Sequence, residues 1–124
     1  MATFSDLLKE FRTRAGLSQR ALARASGINA AIISRLETGD RQPSGPEQVL
    51  AVVRALQLDG ADGDLLLASA GYWPRSVLSL GPQDESLLAI AGVLSDPAID
   101  EESKSRFRHT IRLLAEQWTG RKTP

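Results

Sequence analysis

Two short segments, LSQRALARASG (17–27) and INAAIISRLETG (28–39), end on the glycines Gly27 and Gly39. Each opens on a small polar residue, Ser18 in the first and Asn29 in the second. Ser and Asn side chains accept the orphan N–H groups of a helix start, and a glycine just past a helix end adopts the left-handed conformation that closes it. The spacing therefore predicts two helices of about nine residues joined by a very tight turn. Helices shorter than ~12 residues are marginal in isolation, so this pair must be held by packing. Ala23 faces the neighbouring helix, where a larger side chain would block the close crossing, and Gly27 takes the turn. Ile33 and Leu36, three apart, point inward and leave the opposite face of the second helix free.

The rest of the chain is punctuated in the same way, and no segment alternates apolar and polar residues as a strand would. TFSDLLKEFRTRAG places Phe4, Leu7, Leu8 and Phe11 at helical spacing and stops at Gly16, with Ser5 as its cap if the helix begins a residue late. In the first of the paired helices Leu22 and Ala25 are three apart. After the loop DRQPSGPE, Ser44 and Glu47 form a capping-box pattern with Pro46 at an early helical position. A fourth helix follows through EQVLAVVRALQL, burying Leu50, Val53 and Leu56 or their neighbours. A fifth is expected from Asp62 or Gly63 through DLLLASA to Gly71. GYWPRSVLSLGP reads as a connector anchored by Tyr72 and Trp73. Two further helices, QDESLLAIAGVL and IDEESKSRFRHTIRLLAEQW, start acidic, as the helix dipole favours. In the last, Phe107, Ile111, Leu114 and Trp118 make one stripe.

Composition closes several routes. There is no cysteine among the 124 residues, which removes disulfides, thiolate metal sites and Cys–His chemistry. His109 is the only histidine, and with Arg108 and Arg112 beside it reads as a solvated helix face. DGADGD (59–64) superficially resembles a calcium loop, but its acids do not alternate toward a distal glutamate, so turn and cap use is expected. No phosphate-cradling glycine loop or metal-ligand cluster is present; neither catalysis nor a metal or other cofactor is expected. The N-terminus lacks the pattern of a signal peptide, and no apolar run approaches the ~20 residues of a membrane span. A soluble, cytoplasmic, nucleoid-associated protein is the expectation. Net charge is zero, yet residues 1–58 carry +3 and residues 59–124 carry −3, an asymmetry that suits phosphate binding by the first half only.

Gln19–Thr38 thus has the constraints of a helix-turn-helix, whose second helix can enter a DNA major groove. Leu17–Ser44 also resembles the phage-repressor/Cro-type helix-turn-helix family, often called XRE-like. The shared pattern stands here as Ser18-Gln19, Ala23, Gly27, Ile28, Ser34, Glu37, Gly39 and Pro43-Ser44. The resemblance extends over about residues 3–71 as a five-helix domain, and LLLASAGY (65–72) is similar to the end of such domains. The segment from Ser44 to Leu56 is a residue longer than the pattern leads one to expect, because Gly45-Pro46 enters the start of the fourth helix. The resemblance implies a transcriptional regulator that binds double-stranded DNA, usually as a dimer on a near-palindromic operator. It implies a phosphate-binding role for Gln19, a loop beside the DNA backbone for Arg41 and Gln42, and a structural acid at Glu37 serving loop or helix-end N–H groups. Arg14 and Arg20 are flanking phosphate candidates.

On the second helix Arg35 has the length and fork for guanine, its rival uses being a phosphate contact or an ion pair with Glu37 or Asp40. Ser34 is a further base or phosphate contact and Thr38 a weaker one. Ala30 and Ala31 offer only methyl groups, which suit thymine and permit close approach. The fold class expected is all-α: a DNA-binding domain over 1–71, a connector over 72–81, a two-helix dimerisation segment over 82–119 and a disordered tail over 120–124. Leu87, Ile90, Leu94, Phe107, Ile111, Leu114 and Trp118 are the candidate interface of a homodimer, since one short helix reads only a few base pairs and two-fold pairing doubles the site. The rival reading is an antitoxin-like or adaptor protein whose C-terminal helices bind another protein. A restriction-modification controller is a second rival within the DNA-binding class.

Overall fold

The computed structural model describes residues 2–122. Among these the chain is all-helical, with eight helices and no strand. They are α1 (Phe4–Arg14), α2 (Gln19–Ser26), α3 (Ala30–Thr38), α4 (Pro46–Ala55), α5 (Gly60–Ser69), α6 (Arg75–Leu78), α7 (Glu85–Leu94) and α8 (Glu101–Thr119). The chain divides between Ser79 and Leu80 into two compact units. No helix among the described residues is long and apolar enough to cross a membrane.

The first unit is built around one core. Phe4, Leu7, Leu8 and Phe11 of α1 meet Leu22, Ile33, Leu36, Val49, Val52, Val53, Leu56, Leu66 and Leu67. Helix α1 packs on α3 and α5, α2 on α3 and α4, and α4 on α5. The α2 and α3 boundaries follow their local chemistry. Ser18 Oγ accepts the Ala21 N–H at 3.0 Å, and Asn29 Oδ1 accepts the Ala31 N–H at 2.8 Å. Gly27 and Gly39 close the two helices at φ +77° and +83°. A Cβ added at Gly27 meets nothing within 4 Å, so substitution there strains the backbone alone. Gly27→Ala is therefore expected to lower stability by about 1–2 kcal/mol, the left-handed penalty of an L-residue, measured by urea denaturation.

Several boundaries differ from the expectation. Thr3, not Ser5, caps α1: its hydroxyl accepts the Asp6 N–H at 3.2 Å while the Asp6 carboxylate accepts the Thr3 N–H at 3.4 Å. Ser44 and Glu47 do not form a capping box. Pro46 takes the first helical position after Gly45, and no side chain caps α4; the Ser44 N–H donates to Gln48 Oε1 instead, at 3.0 Å. The buried face of α4 is Val49, Val52, Val53 and Leu56, and Leu50 is only half-buried. Ala25 is exposed, and the half-buried alanine of α2 against the core is Ala23. Helix α5 starts at Gly60 because Asp59 Oδ1 accepts the Asp62 N–H at 2.7 Å.

The connector contains an extra helical turn, α6, fastened to α5. Arg75 donates its backbone N–H to Asp64 Oδ1 and a guanidinium N–H to the Asp59 carbonyl, both at 3.2 Å. The guanidinium lies over Gly63, where an added Cβ would stand 2.7 Å from Arg75 Nη2 and 3.1 Å from Val53 Cγ1. Tyr72 packs against the core and its hydroxyl reaches the Pro43 carbonyl at 3.4 Å. Trp73 does not anchor anything: its residue surface is 67% exposed.

In the second unit both helices start on aspartates. Asp84 Oδ1 accepts the Ser86 and Leu87 N–H groups at 3.0 and 3.1 Å, and Asp100 Oδ1 accepts that of Ser103 at 2.7 Å. The hydrogen bonds from Ser103, the backbone one first, hold the Asp100 carboxyl below the usual aspartate range. That cap stabilises α8 above the ordinary aspartate value, and its contribution is lost as pH falls through the lowered one. Gly120 ends α8 at φ +68°. Of the tail expected over 120–124, residues 123 and 124 lie outside the described residues.

Candidate nucleic-acid interface

At about 100° per residue, burying Ile33 and Leu36 of α3 sets what its other side presents. Ala31, Arg35 and Thr38 are exposed and Ser34 is half-buried, forming one strip opposite the core. Ala30 is half-buried and sits on the flank of that strip. Among the described residues the Arg35 guanidinium has no ion pair, so neither Glu37 nor Asp40 holds it. The Arg35 carbonyl accepts the Arg41 N–H at 3.3 Å and the Thr38 hydroxyl at 3.1 Å. The loop after α3 thus folds back on the helix end, carrying the exposed Arg41 and Gln42 with it.

Glu37 is held elsewhere, and not by the loop or helix-end N–H groups expected. Its carboxylate accepts a two-pronged ion pair from Arg12 of α1, Nε to Oε2 at 2.5 Å and Nη2 to Oε1 at 2.8 Å. The Glu37 and Arg12 side chains are 4% and 12% exposed. The hydrogen bond to Glu37 raises the Arg12 pKa against the opposing effect of burial. Arg12 also donates to the Leu17 carbonyl at 2.8 Å, immediately before the α2 cap. Gln19, the first residue of α2, donates its side-chain amide to Glu37 Oε1 at 3.2 Å. One carboxylate therefore ties together α1, the start of α2 and the last turn of α3. A Gln amide carries two N–H donors; the bond to Glu37 orients the group through one of them.

Sequence reasoning missed Arg12. It counted only as one charge among many, because nothing local marks which arginine an acid 25 residues away will meet. The remaining candidates are less closely gathered. Arg20 is exposed. Arg14 pairs with Asp62 of α5 at 2.6 Å and lies 4.7 Å over the Phe11 ring. That pair is largely solvent-exposed and worth at most ~1 kcal/mol. Among the described residues no group of three or more His, Asp or Glu is placed to hold a metal ion. In the second unit Leu87, Ile90, Leu94, Phe107 and Ile111 are half-buried, whereas Leu114 and Trp118 are exposed.

A family model described as a helix-turn-helix domain matches residues 3–66, from the cap of α1 into α5 and slightly more than half of the chain. Comparison with curated proteins and with solved structures yields no match.

Proposed function

The chain belongs to the helix-turn-helix domain family of phage-repressor/Cro (XRE-like) type, and from that membership we propose that it is a sequence-specific transcriptional regulator of double-stranded DNA. The observation that carries the reading is the strip on α3. Ala31, Ser34, Arg35 and Thr38 face away from the core, and the only long side chain among them is a guanidinium without an ion-pair partner among the described residues. Placed in a major groove, Arg35 supplies the hydrogen-bond readout. The methyl of Ala31 meets thymine, Ser34 reaches a base or phosphate, and Ala30 lets the helix flank approach closely. Gln19, oriented by Glu37, together with Arg20, Arg41 and Gln42, fixes the pose on the phosphates. Arg14 joins them only by exchanging Asp62 for a phosphate.

One such helix reads little. We extend the reading to a homodimer through the second unit, with two α3 helices in successive major grooves about one turn (~34 Å) apart on a near-palindromic operator. Bound in this way the protein represses by occluding a promoter.

Arg35→Ala tests the reading. It is expected to weaken operator binding by roughly 1–3 kcal/mol and to relax preference at one or two base positions. Anisotropy titrations of the operator and its single-base variants at one salt concentration measure both. An equal loss on every sequence would instead make Arg35 a phosphate contact.

A further inference from the structure

Helix α7 carries no charge after Glu85 and buries no residue fully. Ile90 and Leu94 of α7 border a cleft of about 410 Å³ with Phe107 and Ile111 of α8, and Arg108 and Arg112 also line it. Neither arginine has an ion pair among the described residues. On the same α8 stripe, beyond the cleft, Leu114 is 50% and Trp118 87% exposed. An indole left this open, farther along the stripe that lines an apolar cleft with two arginines beside it, is chemically matched to that cleft. Its faces suit the apolar floor and its π-surface attracts the two cations.

We propose that Trp118 of a second copy fills this cleft, and reciprocally, in an antiparallel α8–α8 pairing whose two-fold axis passes at Leu114. The proposal rests on the homodimer reading above and adds its geometry. The register follows from the stripe. A two-fold axis at Leu114 sets each residue opposite the one equally far on its other side, so Trp118 falls over the turn from Phe107 to Ile111. Leu114 then meets the same residue of the second copy, and both ends of the overhanging half of α8 lose their exposed apolar surface. Such a pairing is isologous, as a two-fold dimer requires. A buried aromatic in an arginine-lined pocket is also the usual make-up of an interface hot spot.

The absence of cysteine makes the register directly readable. Full-length Leu114→Cys protein, treated with a short bismaleimide at micromolar concentration, is expected to cross-link to a dimer. The Leu88→Cys control, equally exposed on α7, is expected to remain uncross-linked. In a Trp73→Phe background, Trp118 fluorescence is expected to be blue-shifted and shielded from acrylamide, with both properties lost on dilution to monomer. Trp118→Ala, checked for unchanged helical content by circular dichroism, is expected to weaken dimerisation by about thirtyfold or more, as a hot-spot loss does. A dimeric solution mass with Trp118 freely quenched and Leu114→Cys uncross-linked overturns the seating and leaves the dimer reading standing. A monomeric mass for the full chain overturns both. Binding of the anionic apolar dye anilinonaphthalene sulfonate in the cleft while Trp118 stays open to acrylamide assigns the cleft to a small molecule and overturns the proposal.

Discussion

Glu37→Ala is expected to lower the unfolding free energy by about 3–5 kcal/mol, the usual cost of leaving one partner of a buried ion pair uncompensated. Arg12 is 12% exposed and cannot shed its charge at any ordinary pH, since its pKa is raised. The loss is large against the 5–15 kcal/mol that holds a typical domain together, so the variant is expected to be partly unfolded near 37 °C. Urea denaturation followed by circular dichroism measures it. Arg12→Met combined with Glu37→Leu removes both charges and is expected to recover most of the stability. It is not expected to recover operator affinity, because Gln19 loses the carboxylate that orients it. A loss below about 1 kcal/mol for Glu37→Ala would mean that the pair does not tie the three helices together.

Truncation after Gly81 is expected to lower operator affinity by about a hundredfold or more. Linking two half-site readers makes the second contact intramolecular, at an effective concentration that raises overall affinity by ~10²–10⁴. Among the described residues the buried apolar side chains all lie before Gly81, between Phe4 and Leu67, so the shortened chain keeps its own core. It should fold, bind one half-site and show about half the salt dependence of the full chain, as phosphate contacts are halved. Sedimentation and anisotropy titration report mass and affinity together. A truncated chain that is still dimeric and binds with unchanged affinity contradicts the assignment of dimerisation to residues 82–119.

What the sequence discloses is mostly what local chemistry decides. Ser18, Asn29, Gly27 and Gly39 mark the ends of α2 and α3 because each cap is a bond or a dihedral within a few residues. Ile33 and Leu36 mark the inward face of α3, which at once defines the outward strip containing Arg35. Where two local signals compete, the reading fails. Ser44 with Glu47 looks like a capping box, but Pro46 at the first helical position makes Gly45 the cap. Trp73 reads as an anchor because a large aromatic usually buries its area, yet the α6 turn directs packing to Tyr72 and Arg75 instead. Contacts set by tertiary structure leave no local trace. The Arg12–Glu37–Gln19 cluster joins three segments distant in sequence, and only their packing selects Arg12 from seven arginines before residue 58. On α7 the spacing of Leu87, Ile90 and Leu94 marks the half-buried face even within a run from Ser86 to Leu94 that carries no charge, but nothing local says what covers it.

The proposed reading of a two-fold operator by α3 through Arg35 is tested by selection of bound duplexes from random DNA with the purified full-length protein, repeated with Arg35→Ala. The wild-type protein is expected to enrich a near-palindrome with half-sites about one turn (~34 Å) apart and a guanine at a fixed place in each. The variant is expected to enrich the same spacing with that guanine lost. Enrichment of no sequence by the wild-type protein, or of the same sequence with undiminished guanine by the variant, contradicts base reading by Arg35.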